Sequence, residues 1–526
     1  MGDKVVYYTT HDSFLGCKMM IRLLLAISVT LFLSGSCFGF SAFESQNSVF
    51  SLETYFRQDV ISFKNVVDLD SHNKDDHTTY FGIDYSLGLK SEFKNGGPIF
   101  YLKLERNGPY DYDAPLFIHN TLMPAGSHVD AYRNKELLPQ VEELWMDLPI
   151  PNTYLRFKAG MFPYDVGKGY AQGSGSCENY GFSLYKGAGD FNWRLHYYRP
   201  DFVYKNILGP RIEQEKEQGI DYEPNAANYF AFDAEFSLGK NDFQPFFGLL
   251  LDRTSSGKRN NLFAAPVDKE ILGTLGLDYD VAISDLKLGF EIARNFGEAE
   301  SINPAFKDVE HKGYLLYVNA SYNIDKFAPH ASFLYSSGNK VTTDMVNNGD
   351  TAFTSGSNRA FSVYSPLNLN LLDSHCPSAD SLPLVFFGWG YGLNYGVGLY
   401  RPSTLGDVAV LENLIMPGIG FDYNFTEKLT ATFDWWYIMA NERGVGMYEG
   451  LSRYLSRDLG QEIDLSLSYD LNENININLC TGYFFPGKYF KEKRDDTGGS
   501  LFTPFVRGDG RANSAYQIEF TVECEF

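Results

Sequence analysis

Away from its amino end the chain has no run of about twenty apolar residues, the length a membrane-crossing helix needs, which excludes a helical membrane protein. Cysteine is scarce, six in 526 residues, and no Cys-x-x-Cys or Cys/His spacing of a zinc site occurs, so neither a metal nor another cofactor is expected. Basic charge is also short: 44 Lys and Arg against 66 Asp and Glu leave a formal charge of −22, and no basic run offsets it. A polyanion would be repelled by that field, which argues against nucleic acid as a partner. The nine histidines are scattered, and those at His72, His77, His119 and His128 have no neighbouring pattern of Ser or Asp that would make a nucleophile and its base.

Aromatics, by contrast, are abundant at 16%, Gly numbers 49, and the mean hydropathy is only −0.25. That mixture suits strands in which every second residue is apolar, as in a sheet with lipid on one face and water on the other. The clearest strand closes the chain. In AYQIEFTVECEF, Tyr516, Ile518, Phe520, Val522, Cys524 and Phe526 face one way and Gln517, Glu519, Thr521, Glu523 and Glu525 the other. A terminal Phe526 in register with the apolar face resembles the signal read by the barrel-assembly machinery of the bacterial outer membrane.

The same alternation recurs in pairs joined by tight polar turns. Tyr80 to Phe93 and Pro98 to Glu105 flank Lys-Asn-Gly-Gly; further turns fall at Pro151-Asn152, Gly187 to Asp190, Gly239 to Asp242, Ser284-Asp285, Asn323 to Lys326, Thr426 to Lys428 and Asn472 to Asn474. Between the hairpins lie longer polar stretches, among them Asn107 to Pro139, Val203 to Asn228, Ser255 to Glu270, Ser337 to Glu412, Gly444 to Gly460 and Gly487 to Ser514. With a first strand at Phe50 to Val60 and a last at Ala515 to Phe526, the reading is an all-β transmembrane antiparallel barrel of about eighteen strands. Short turns would lie on the periplasmic side and long loops outside. A barrel of that size encloses water, so the expectation is an integral outer-membrane channel for polar solutes and not an enzyme, the alternatives being a barrel enzyme or an adhesin. Trp145, Trp193, Tyr197, Tyr322, Trp435, Trp436 and Tyr437 are expected in girdles at the two membrane interfaces.

Two segments stand apart. Met19-Met20-Ile21-Arg22, the uncharged Leu23 to Leu33 and the small residues after it read as a secretory signal peptide, with residues 1–18 an extension ahead of the true start. Residues 1–39 are thus assigned to extension plus leader and 40–526 to the barrel. Leu382 to Tyr400 is an apolar stretch inside a long loop, either an inward-folded constriction or an extra strand pair. In the oxidising exterior, Cys177 and Cys376 are expected to bridge two loops.

Gly460 to Phe490, GQEIDLSLSYDLNENININLCTGYFFPGKYF, resembles the penultimate hairpin of the alginate-export family of outer-membrane porins, where G-x-E-x-D-L opens one strand and G-Y-x-x-F-F-P-G closes the next. The opening motif and F-F-P-G are kept, with Cys480-Thr481 in place of G-Y. The resemblance implies an eighteen-stranded barrel and export of an anionic polysaccharide through an arginine-rich lumen. Where the family carries Arg-Gln after a strand glycine, this chain has Gly160-Met161-Phe162-Pro163, so one such cation is missing.

If the apolar positions face lipid, their neighbours line the lumen. Parity places Arg57, Lys103, Arg156, Lys158 and Arg194 inside, with His196 beside them, and Lys287 on the later wall. It places Asp278, Glu291, Asp422, Asp434, Glu462, Asp464, Glu519 and Glu523 inside too, with Asp84, Glu105, Glu143 and Asp147 among the early bases. The expected lumen is a cationic patch facing a longer anionic wall. Its expected partners are outer-membrane lipid, the barrel-assembly machinery and a polar solute or oligosaccharide.

Overall fold

The computed structural model describes residues 43–45, 47–65, 69, 78–106, 140–164, 166–171, 180–186, 191–199, 227–252, 267–301, 307–340, 342–344, 356–359, 361, 382–387, 413–493 and 510–525. Residues 1–39, read above as extension plus leader, Cys177, Cys376 and Phe526 lie outside them.

Strands β1 Ser48–Lys64, β2 Thr78–Phe93, β3 Ile99–Arg106, β4 Gln140–Pro149, β5 Leu155–Met161 and β6 Tyr180–Lys186 pair each with the next. The series continues through β7 Phe191–Arg199, β8 Ala227–Leu238, β9 Asn241–Asp252, β10 Val267–Ile283, β11 Leu286–Ser301 and β12 Tyr314–Tyr322. It ends with β13 Phe327–Ser336, β14 Leu414–Asn424, β15 Leu429–Ala440, β16 Asp458–Asn472, β17 Ile475–Pro486 and β18 Ala515–Glu525. The last strand pairs with the first, Phe56 opposite Cys524 and Val60 opposite Phe520, so the sheet closes. Of its 21 strands, Phe43–Glu44, Val309–His311 and Ser357–Asn358 are short rim additions, and the other eighteen form one antiparallel barrel.

Local chemistry explains the hairpins. Seven of the eight expected turns lie among the described residues and close adjacent strands, Gly187 to Asp190 lying outside them, and several place at their tips a residue able to hold the left-handed conformation: Asn95 (φ 63°), Asn152 (φ 60°), Ser284 (φ 57°) and Asp325 (φ 54°). Every other connection is long, so one rim carries short turns and the opposite rim carries loops. Loop-length alternation was therefore a correct guide to the strand count.

The wall has inside-out polarity. Along β16, Glu462, Asp464 and Ser466 are buried whereas Ile463, Leu465 and Leu467 are exposed on the other face. Leu144, Leu275, Ile292, Ile419 and Leu479 likewise project outward and are exposed. Two expected girdle residues depart from this face. Trp436 is buried on the inner face with Asp434 and Ile438, its ring lying over Gly418, where an added Cβ would come 2.5 Å from it. Trp145 also turns inward, under the Lys158 ammonium at 3.8 Å from the ring centroid. Inward aromatics are of the same residue types as girdle ones, so only their parity separates them.

Candidate pore interior

Two segments leave the long-loop rim and fold back against the inner wall. The deeper one, residues 162–164 and 166–171 following β5, buries Phe162, Tyr164, Val166 and Tyr170. It runs past β7 and β8, where the Tyr164 ring lies 3.9 Å from that of His196 and its hydroxyl 3.5 Å from Asp233. It then reaches β9 to β12. The Gly167 amide donates to Gln244 Oε1 (2.9 Å), and the Tyr170 ring sits 4.2 Å from that of Tyr317. Gly167 adopts φ +59°, and a Cβ there would lie 2.8 Å from Asp278, so glycine serves both the turn and the close approach.

Glu291 holds this segment: Oε2 accepts the Lys168 amide (2.9 Å) and Oε1 the Ala171 amide (2.6 Å), and the residue is fully buried. The Lys168 ammonium adds ion pairs to Asp278 (3.1 Å) and Asp280 (2.7 Å).

The second segment lies higher on the opposite wall. Leu382 and the helical turn α1, Leu384–Phe387, pack against β16 to β18, with Leu384, Val385 and Phe386 buried and Phe386 near Phe484 (6.0 Å between centroids). Glu462 accepts the Val385 amide on Oε1 and the Phe386 amide on Oε2 (2.9 Å); Asp464 Oδ2 accepts the Leu384 amide at 3.4 Å. Of the two readings of Leu382 to Tyr400, its first six residues therefore take the inward-folded one. Residues 388–400 lie outside the described set.

A row of facing positions prepares this dock. Register places His330 (β13), Gly420 (β14), Asp434 (β15), Asp464 (β16), Gly482 (β17) and Gln517 (β18) side by side. A Cβ at Gly420 would fall 2.4 Å from His330 Nε2 and 2.3 Å from Asp434 Oδ1. The notch it leaves lets those two groups meet at 2.7 Å. At Gly482 a Cβ would strike Val385 at 2.8 Å, so this second notch makes room for the segment itself. Two residues back along β17, on the same inner face, the fully buried Cys480 is disulfide-bonded.

The remaining expected lumen residues are inward, but in clusters and not as two opposed patches. Arg57 faces three carboxylates, Asp59 (2.8 Å), Glu519 (3.6 Å) and Glu523 (4.0 Å). Arg194 faces Asp233 and Glu235, each at 2.9 Å, with His196 3.7 Å from Asp233. Arg156 pairs with Asp147 (3.0 Å) and donates to the carbonyls of Gly96 and Gly97, while Lys103 pairs with Glu105. Asp422 accepts from Thr432 Oγ1 (2.6 Å) and lies 3.6 Å from His330. Lys158 sits over the rings of Trp145 and Phe162. Lys287 keeps the inner parity of Glu291 but is exposed near its turn. At Gly88 the wall opens into a cavity of about 380 Å³ lined by Glu53, Tyr55, Tyr101, Lys103 and Glu105.

Two expectations need correction. The early bases do not form a cationic patch, because Arg57, Lys103, Arg156 and Arg194 are each matched or outnumbered by acids. Nor do Glu291, Glu462 and Asp464 line open water: each is 0% exposed and accepts a backbone amide of an inward segment. Parity would have found Asp233 and Asp280, which alternate with apolar neighbours, and Asp59, which shares the parity of Arg57. Lys168 carries no periodic signal.

These features define a closed, inside-out barrel with an ionisable interior and two internal segments. The chain matches no protein-family model and no curated protein sequence. Among solved structures it is similar to OccAB2 of Acinetobacter baumannii, at 8% identity over 91% of this chain and 98% of that one with a TM-score of 0.47. It is similar also to OccK8 (OprE) of Pseudomonas aeruginosa, at 9% identity over 91% and 98%, TM-score 0.46. The outer membrane protein opdK of the same organism matches at 10% identity over 90% and 99%, TM-score 0.45.

Proposed function

We propose that the chain is an integral outer-membrane channel that passes small polar solutes, with a preference for cations. The observation that carries this reading is the polarity of the closed wall. Large apolar side chains are exposed on its outer face, where water would penalise them and lipid would not, and charged groups occupy its inner face. Eighteen strands enclose more space than their own side chains fill.

The cation preference rests on the ion-pair clusters. Arg57 stands among three carboxylates, Arg194 between two and Lys168 between two, so each cluster carries surplus negative charge along the path. Such a wall disfavours an anionic polysaccharide, the cargo that the alginate-export resemblance would imply. Reconstitution in a planar bilayer tests the reading. We expect stepwise conductance, a reversal potential on the cation side in a salt gradient, and little block by anionic oligosaccharides. Absence of conductance from correctly inserted protein would overturn the channel, and anion selectivity would overturn the cation preference and restore the anionic cargo.

A further inference from the structure

We infer that Glu462 and Glu291 are latches that set the width of the pore by gripping the backbones of the two inward segments, an inference that rests on the channel reading above. The same device occurs twice on opposite walls. In each case one fully buried carboxylate uses both oxygens, one for each of two backbone amides: Val385 and Phe386 on Glu462, Lys168 and Ala171 on Glu291.

The energetics run both ways. A buried carboxylate is costly unless hydrogen-bonded, and amides in the first turn of a helix have no partner within it. Docking satisfies both, whereas an undocked segment would leave the amides to water and the carboxylate facing the lumen. The grip is directed at main chain, so the side chains of the segments remain free to pack on the wall, as Phe386 does on Phe484 and Tyr170 on Tyr317. Gly482 and Gly167 supply the clearance on the two sides, since a Cβ at either would intrude on the dock. Asp464, donated to by Leu384, supports the upper latch, and Lys168, paired to Asp278 and Asp280, supports the lower one.

The chemistry permits a test from each partner of the bond. Glu462→Gln keeps the shape but sets an amide NH2 against a backbone N–H. Val385→Pro removes the donor and leaves the barrel wall untouched. Val385→Ala keeps the N–H and is the control. Each variant is purified as full-length protein, checked for the heat-modifiable mobility of a folded barrel, and measured as single channels. We expect Glu462→Gln and Val385→Pro to raise unitary conductance by a similar factor, roughly twofold if the constriction limits the current, with Val385→Ala close to the parent. If Glu462→Gln fails to assemble, Val385→Pro alone decides. Parent-like conductance in folded Glu462→Gln or in folded Val385→Pro would overturn the latch, as would an equal rise in Val385→Ala. A parent protein that conducts nothing would sink the channel reading instead.

Discussion

At the level of single residues, a period of two decides which side of the wall a side chain meets, and one substitution can test that assignment. Leu465 lies in the middle of β16 with its side chain outward and exposed, between the inward Asp464 and Ser466. Leu465→Arg would put a charge in the hydrocarbon, and a loss of about 2–4 kcal/mol is expected there, falling toward zero near the rims. Denaturant titration of the barrel folded into lipid vesicles measures it; unchanged stability would mean that this face does not meet lipid. Parity was legible in the sequence because Gln, Glu and Thr alternate with Tyr, Ile and Phe along β18. What each inward group touches was not legible, since His330 meets Asp434 across an intervening strand and only because Gly420 stands between them. Nothing in a linear pattern marks that glycine as a notch. The thiols show the same limit. Cys480, read from the sequence only as a departure from a family motif, is disulfide-bonded, and Cys524 is buried on the last strand. Peptide mapping under non-reducing conditions should recover Cys480 in a cross-linked peptide, and its recovery as a linear peptide would overturn the bridge.

Among the elements, strands and short turns were readable because each must satisfy a local rule: alternation for the strand, a left-handed residue for the turn. The inward segments obey no local rule. Residues 162–171 contain Pro, Gly, Asp, Lys and aromatics in no repeating order, and what holds Lys168 and Ala171 is a carboxylate on β11, far along the chain. The apolar stretch beginning at Leu382 was conspicuous only because apolar residues are out of place in a polar loop. Docking of the deeper segment has a consequence for proteolysis. Lys168 donates its amide to Glu291 and its ammonium to Asp278 and Asp280, and the side chain is 14% exposed, so the bond after it is shielded from trypsin, which needs an accessible, extended backbone. In Glu291→Gln the segment should undock and cleavage after Lys168 should appear at protease levels that leave the parent intact. Mass mapping of the digest reads the result, and equal resistance in both proteins would mean that Glu291 does not hold the segment.

Over the whole molecule, charge is distributed so that stability and selectivity depend on different carboxylates. Glu462 and Asp464 are fully covered by the upper segment, so neutralising them should change how wide the channel is more than which ions it favours. Glu523 and Glu235 differ. Their side chains are 34% and 47% exposed, and they form the outer members of the clusters around Arg57 and Arg194, where the surplus negative charge meets water. Replacing both with Gln would leave Arg57 with Asp59 and Glu519, and Arg194 with Asp233, so each base keeps a partner and the barrel should still fold. The reversal potential in a salt gradient should then move toward the anion side. The difference between parent and variant should be clear at 0.1 M salt, where the Debye length is about 10 Å, and should nearly vanish at 1 M, where it is about 3 Å and exposed charges are screened. A salt-independent difference would point to altered pore shape instead of charge. An unchanged reversal potential at 0.1 M would place the selectivity elsewhere on the path, with the cavity at Gly88, lined by Glu53, Lys103 and Glu105, as the next position to neutralise.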